Sequence, residues 1–418
     1  MAQFAKIMVA AAIMLLAAAM PARAADAATA DDTARFLAGM PPSAGSPLTP
    51  LTSDPAWQRY ARFVDAAFGQ LETRQLSKIR DWARVNLATA RPTMFYMFSG
   101  PDFLYADAFY SRSTTYVLSA LEPVGSVPDL TGLSHGGVGP VLANVARSMD
   151  SILNFSFFIT KQMKTDLSAG QVSGTLPILY VFLARSGKTI RDVRLIALDN
   201  AGVVHFSNSD AGKNATRGVR ITFAGSDGVE RVLYFFSTDL SNSGVRSSGF
   251  LKFCATLAPG DSLIKSASYL LHAGNFSAVR DFLLANSATI IQDDSGIPLA
   301  AFDRRKWSFV PFGRYAGPID KFPGRYQPEY AELFRRSRPI DFGIGYRWRA
   351  FETNLLLSVR RPLDDSRSVD ATSSAPMIDP VEPKLVRPRR PRPLPPVDQP
   401  TDLPPDQPTD FFGFPVLR

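Results

Sequence analysis

Asp293 and Asp294 stand side by side in IIQDDSGIP, between an apolar run and a Ser-Gly turn with Pro298 two places on. Asp294-Ser295-Gly296 carries the letters of the aspartic protease signature, chemistry that needs two carboxylates sharing one proton. The body of the chain holds no second Asp-Thr/Ser-Gly. A strand continued through this point would send the two side chains to opposite faces. A turn stabilised by Asx hydrogen bonds accounts for the same letters and is the better reading. A second polar corner, FFSTDLSNSG at 235–244, places Asp239, Ser241 and Asn242 directly after an apolar strand. Strand ends of this kind are where α/β folds place ligands. These oxygens, with Asp293 and Asp294, are of the type that holds a hard cation. Neither segment has EF-hand spacing, so no metal is assigned, and capping or turn-making explains both.

The tetrapeptide GDSL, Gly260 to Leu263, matches the name-giving motif of the GDSL hydrolases, with Ser262 as the nucleophile at a helix start. That chemistry needs a base within reach of the hydroxyl. The only later histidine, His272, follows ten residues on in the same expected helix and belongs to no Asp-x-x-His motif. Asp261 and Ser262 read more simply as helix caps. His135, His205 and His272 form no HxxxH pair, so a zinc site is not expected. His272, at a helix end, is the preferred acid–base candidate. His135, in the Gly-rich LSHGGVGP, precedes a helix whose amides could hold an anion. The single cysteine, Cys254, lies in the apolar GFLKFCATLA and reads as a buried thiol rather than a nucleophile.

Several elements must position these groups. DPAWQRYARFVDAAFGQL spaces its apolar residues at three and four, an amphipathic helix capped by Asp54 with Pro55 at its first position. LETRQLSKIRDWARVNLA repeats the pattern. TMFYMF reads as a buried strand ending at SGPD, where Asp102 caps a short helix. TTYVLSALEPVG is a strand that runs to Glu122 and is stopped by Pro123. Residues 138–168 read as one long helix. Four strands follow, DVRLIAL, VVHF, VRITFAG and RVLYFFSTD, joined through the hairpin turns DNAG and SDG. Beyond them the pattern predicts helices over SLIKSASYLLHAG and SAVRDFLLAN, a strand ATIIQ, a Gly/Pro-rich loop, a helix near 327–337, and strands DFGIGYRW and NLLLSVR. The expected fold is α/β: a mixed sheet covered by helices in one large domain over 51–361.

The flanks differ in composition. Residues 1–24 read as a signal peptide: Lys6, an apolar run Ile7 to Ala19, Pro21, and a small-residue cleavage site at Ala22-Arg23-Ala24. No later run has about 18 apolar residues, so no transmembrane segment is expected after signal removal. Residues 25–50 read as a flexible lead-in. From Pro362 apolar density collapses, and 14 of the 33 prolines fall in 362–418, a disordered, Pro-rich tail by composition. KLVRPRRPRPLPP favours an extended polyproline conformer, and the tail ends in the apolar FFGFPVLR, a docking peptide or spacer toward an envelope or extracellular partner. The net charge of +8 is spread among interleaved acids and bases, without a basic stripe, and nucleic-acid binding is not expected. No cofactor is named by any motif.

YMFSGPDFLYADAFY, YVLSALEPVG, YFFSTDLSNSG, SASYLLH, IIQDDSGIP and FGRYAGPI together resemble a group of exported bacterial proteins with no established activity. The likeness spans about 55–360, excludes the tail, and carries over no functional residues. Two functions are compatible with the residues. One is a periplasmic or secreted, non-catalytic protein that binds a ligand or partner in the envelope. In it Asp102, Glu122, Ser241 and Asn242 are ligand contacts. The other is a hydrolase-like enzyme using an Asp/Glu/His pocket, with His272, Asp293, Asp294 and Asp239 catalytic. The enzymatic reading requires these side chains to meet in one hollow.

Overall fold

The computed structural model describes residues 29–87, 89–157, 172–206 and 215–361, which belong to one domain. The expected signal peptide and the Pro-rich tail lie outside the described residues. Among the described residues, no helix is long and apolar enough to cross a membrane.

One mixed sheet of ten strands carries the fold, in the order β4-β3-β5-β6-β2-β1-β7-β8-β10-β9. Its centre is five parallel strands: β6 (Glu230–Ser237), β2 (Thr115–Ala120), β1 (Thr93–Met97), β7 (Gly260–Ile264) and β8 (Ser287–Gln292). All five residues of β1 and of β7 are buried, as expected for parallel strands covered on both faces. Antiparallel strands extend both flanks. On one side lie β5 (Thr216–Ala224), β3 (Thr189–Leu198) and β4 (Val204–His205); on the other β10 (Asn354–Arg360) and β9 (Trp307–Gly313). After β1 and β2 the chain forms β3, β4 and β5 on the far flank, comes back to place β6 beside β2, and then lays β7 and β8 on the opposite side of β1. The strand order therefore reverses between β1 and β7, and in open sheets ligands bind in the crevice beyond the carboxyl ends of the strands at such a point.

Side chains alternating along β1 serve different layers. Phe95 and Met97 join a core built from Phe250, Phe253 and Cys254 of one helix and Val279, Phe282 and Leu283 of another. On the other face the fully buried helix Phe103–Tyr110 packs Phe103 against Tyr116 and Phe223 of the sheet, with ring centroids 5.2 and 5.4 Å apart. The helices Pro55–Leu71 and Ser77–Asn86 are joined without a break by a π-turn at Glu72–Leu76. Such turns redirect side chains within a helix. Here Gln75 points inward, donates to the carbonyls of Gly343 (2.8 Å) and Trp348 (3.2 Å), and accepts from the Tyr105 hydroxyl at 2.5 Å.

Several expectations are corrected. The lead-in is not free: Ala30–Leu37 is an α-helix capped by Thr29, with Phe36 and Leu37 fully buried. Trp57 and Tyr60 donate to the carbonyls of Phe36 and Leu37, so the amphipathic helix that follows supplies its docking face. GDSL is not a helix start but the central strand β7, because a short run buried on both faces has no period that separates it from a helix. The remainder of that stretch is a turn and a short 3₁₀ segment, Leu270–His272. DFGIGYRW is a tight loop with one isolated bridge, Ile344 to Arg347, and not a strand. WSFVPFG, read as loop because of its Pro and Gly, is the edge strand β9, where Pro311 is tolerated. The long helix is His135–Phe155, ended by Ser156 in the left-handed conformation, and 158–171 lie outside the described residues.

The docked N-terminal helix makes a direct prediction. Phe36→Ala lowers stability by about 3–5 kcal/mol, seen as a lower urea midpoint with an unchanged slope. A free lead-in would leave the midpoint where it is.

Candidate functional site

A cleft opens at the carboxyl edge of the parallel strands, over the reversal between β1 and β7. Its larger chamber, about 570 Å³, is walled by the ends of β1 (Tyr96, Ser99) and β7 (Lys265, Ser266) and by Phe322 and Tyr346 from later loops. A smaller chamber of about 150 Å³ adjoins it. Phe98, Gly100, Glu122, Ser266 and Ser268 line both.

The floor is a buried ion pair. The Lys265 ammonium lies 2.8 Å from Asp102 Oδ2, with both side chains almost fully enclosed. Asp102 also caps the helix Phe103–Tyr110, accepting from the Tyr105 amide at 3.2 Å, and takes the Tyr96 hydroxyl at 2.8 Å. Lys265 donates further to the Ser156 carbonyl and sits 4.1 Å from the centre of the Tyr105 ring. These contacts account for the ammonium's charge, so Lys265 forms the floor without offering a free cation to a ligand.

Asp293 and Asp294 lie just beneath the cleft wall, both buried. Asp293 accepts from the Ser266 amide (3.0 Å) and from the Ser295 amide (3.0 Å) and hydroxyl (2.5 Å). Backbone lies tight against it: a Cβ on Gly345, whose φ is +63°, would fall 1.8 Å from Asp293 Oδ2. Asp294 accepts from Tyr269 OH at 2.6 Å and from Asn354 Nδ2 at 3.1 Å. The same Tyr269 oxygen accepts from the amide of Ile319 at 3.3 Å, which hangs one cleft wall on Asp294. Burial raises the Asp293 carboxyl, opposed by its Ser295 and Ser266 donors. Burial, then the charge of Asp293, raises Asp294 to about 7. The pair therefore holds one proton more readily than two isolated carboxylates.

The other expected residues separate. Glu122 is buried at the wall shared by the chambers, and Asp239 borders the smaller one, its oxygens bound to the amide and hydroxyl of Ser241 at 2.8 Å each. Ser241 caps the helix Asn242–Ser247. Asn242 bridges to Gly274 O (2.9 Å), Ser277 Oγ (3.0 Å) and the Ala278 amide (2.9 Å), a latch between helices. Ser241 and Asn242 are thus corrected from ligand contacts to structural ones. His272 is not among the side chains lining either chamber. It packs against the Tyr269 ring at 5.3 Å, and burial, aided by Arg325, lowers it to about 4, leaving a neutral imidazole at neutral pH. His135 is bound to Asp54 at 3.0 Å and His205 to Asp199 at 2.9 Å. Ser262 shares a 2.7 Å hydrogen bond with Ser287 inside the sheet, and Cys254 is buried with its thiol raised by burial. Among the described residues, no three His, Cys, Asp or Glu side chains gather as a metal set.

Sequence reasoning missed Lys265, Tyr96, Ser266 and Tyr346. The signal available for Lys265 was a lysine directly after a wholly apolar strand end, LIK, hidden by the helix reading. Compared with known protein families, curated proteins and solved structures, the chain matches none.

Two outcomes are expected. Lys265→Met leaves Asp102 buried and unpaired and costs about 3–5 kcal/mol in denaturant unfolding, and adding Asp102→Asn recovers part of the loss. Because the folded carboxyl of Asp294 is raised above its unfolded value of 3.8, its contribution is complete below about pH 4 and is lost as pH rises toward 7. Asp294→Asn therefore removes a decline on the order of a few kcal/mol across that window, measured as the difference between mutant and wild-type stability–pH profiles.

Proposed function

We propose that the protein is an exported, periplasmic or secreted binding protein whose cleft at the strand reversal takes a small-molecule ligand without transforming it. One observation carries this reading. Among the described residues, five non-glycine residues hold a positive φ: Phe98, Ser156, Ser266, Ser268 and Tyr269. Phe98, Ser266 and Ser268 line the cleft, Ser156 receives the Lys265 ammonium, and Tyr269 packs on Phe322 of the cleft wall at 5.0 Å. Each such backbone costs on the order of 1–3 kcal/mol and persists where surrounding contacts enforce it, which is characteristic of ligand clamps and active sites. The larger chamber also falls within the range of small-molecule sites.

The non-catalytic reading is supported by how the reactive groups are used. The raised carboxylates Asp293 and Asp294 spend their oxygens on the protein's own donors, and the neutral His272 imidazole is outside the cleft lining. Export rests on the N-terminal sequence, and docking to an envelope partner on the proline-rich tail.

The test is a thermal-shift screen of a small-molecule library on the full chain, since a ligand that binds only the folded state raises apparent stability. Hits are expected to lose their shift in Ser266→Phe, which projects a ring into the wall shared by the chambers. Hits whose shifts are the same in wild type and variant would place binding elsewhere and defeat the reading.

A further inference from the structure

Taking the cleft as the ligand site, we propose that it binds a neutral, hydroxyl-rich ring compound, a mono- or disaccharide, through aromatic planes in the larger chamber and the Ser266 hydroxyl at the shared wall.

Charge narrows the class first. Lys265 is the cation at the floor, and it is already committed to Asp102, the Ser156 carbonyl and the Tyr105 ring. At the rim, Asp320 and Lys321 are neighbours of opposite sign. Among the described residues the cleft thus lacks the convergent cationic groups that a phosphate or carboxylate requires, although the chain as a whole is basic.

What the cleft does present is flat apolar surface beside hydrogen-bonding oxygen. Tyr96, Phe98, Phe157, Phe322 and Tyr346 line the larger chamber. Phe157 and Tyr346 meet edge to face at 5.1 Å, so neighbouring ring faces are held at fixed angles. A pyranose has an apolar C–H face to lay on such rings and an edge of hydroxyls to direct at polar groups. Ser266 Oγ has no hydrogen-bond partner among the described residues and is closed off from solvent, so a ligand reaches it once rotation about χ1 turns it into the chamber that the residue lines. An enclosed hydroxyl without a partner is costly, and a ligand hydroxyl, able to donate and accept, relieves it. Its place is imposed by the left-handed backbone at Ser266, which is in turn secured by the Asp293 contact to its amide. The smaller chamber, with Leu240, Leu270 and Phe276 beside Thr238 and Asp239, suits a short substituent carrying both a methyl and a polar atom.

The experiment is isothermal titration of the full chain with three sets of probes. The neutral set is glucose, galactose, N-acetylglucosamine, maltose, cellobiose and chitobiose. The charged sets are glucose phosphate and glucuronate, and glucosamine and choline. Saturable binding is expected from the neutral set alone. Ser266→Ala should weaken it about tenfold, the worth of one hydrogen bond, and Ser266→Phe should abolish it while circular dichroism and the unfolding midpoint stay near wild type. Should Ser266→Phe fail to fold, Ser266→Ala decides alone: an unchanged affinity overturns the proposal. Tighter binding of a charged probe, lost in Ser266→Ala, overturns the saccharide assignment and leaves the cleft as the ligand site. Saccharide binding indifferent to both variants defeats the cleft reading as well. No binding in any set overturns the saccharide class, and the broader thermal-shift screen then decides the cleft separately.

Discussion

The ion pair between Lys265 and Asp102 joins the two halves of the sheet at the place where their order reverses. Asp102 follows β1 and starts a helix; Lys265 directly follows β7. A charged pair removed from water is expensive, and its attraction repays the cost only when the remaining donors and acceptors are also satisfied. Here they are: Asp102 takes an amide, a phenol and an ammonium, and Lys265 adds a carbonyl and an aromatic face. The arrangement gives the cleft a rigid floor and at the same time neutralises the Lys265 ammonium. Its selectivity then depends on shape, rings and hydroxyls.

Asp293 does for the wall what that pair does for the floor. It accepts from the backbone just after β7, where Ser266 enters the left-handed region. Without a fixed acceptor for the Ser266 amide, a turn of this kind would relax. Adjacent Asp294 instead reaches outward through Tyr269 to the amide of Ile319 on the facing wall. Two neighbouring carboxylates that look like a catalytic dyad are therefore divided between supports for opposite sides of one cleft. Their raised proton affinity follows from burial and mutual repulsion, and perturbed titration is by itself no proof of chemistry.

The sequence was most readable where local rules act alone. Asp54 and Asp102 cap the helices expected of them, and the turns DNAG and SDG close antiparallel hairpins. It was least readable where burial on both faces erased the period. GDSLIK has the pattern of a helix start yet is a strand end, and that hides the lysine on which the site is built. The Pro-containing edge strand β9 was missed because proline argues against a strand except at an edge, and edge position is a property of the finished sheet. The N-terminal helix escaped because its Ala, Thr and Asp composition resembles a linker, and its stability comes from Trp57 and Tyr60 on another element.

By itself, the amino-acid order determined the class of fold, the main caps and hairpins, and which carboxylates were worth following. Those features depend on periodicity and on side chains within a few residues of the backbone they serve. Only the tertiary structure decided that Asp102, Glu122, Asp293 and Asp294 gather at one edge, that Ser241, Asn242 and His272 belong to other contacts, and that Lys265 completes the floor. Which strand lies beside which is set by packing across the whole sheet, and no local propensity near residue 102 or residue 265 encodes the meeting of the two.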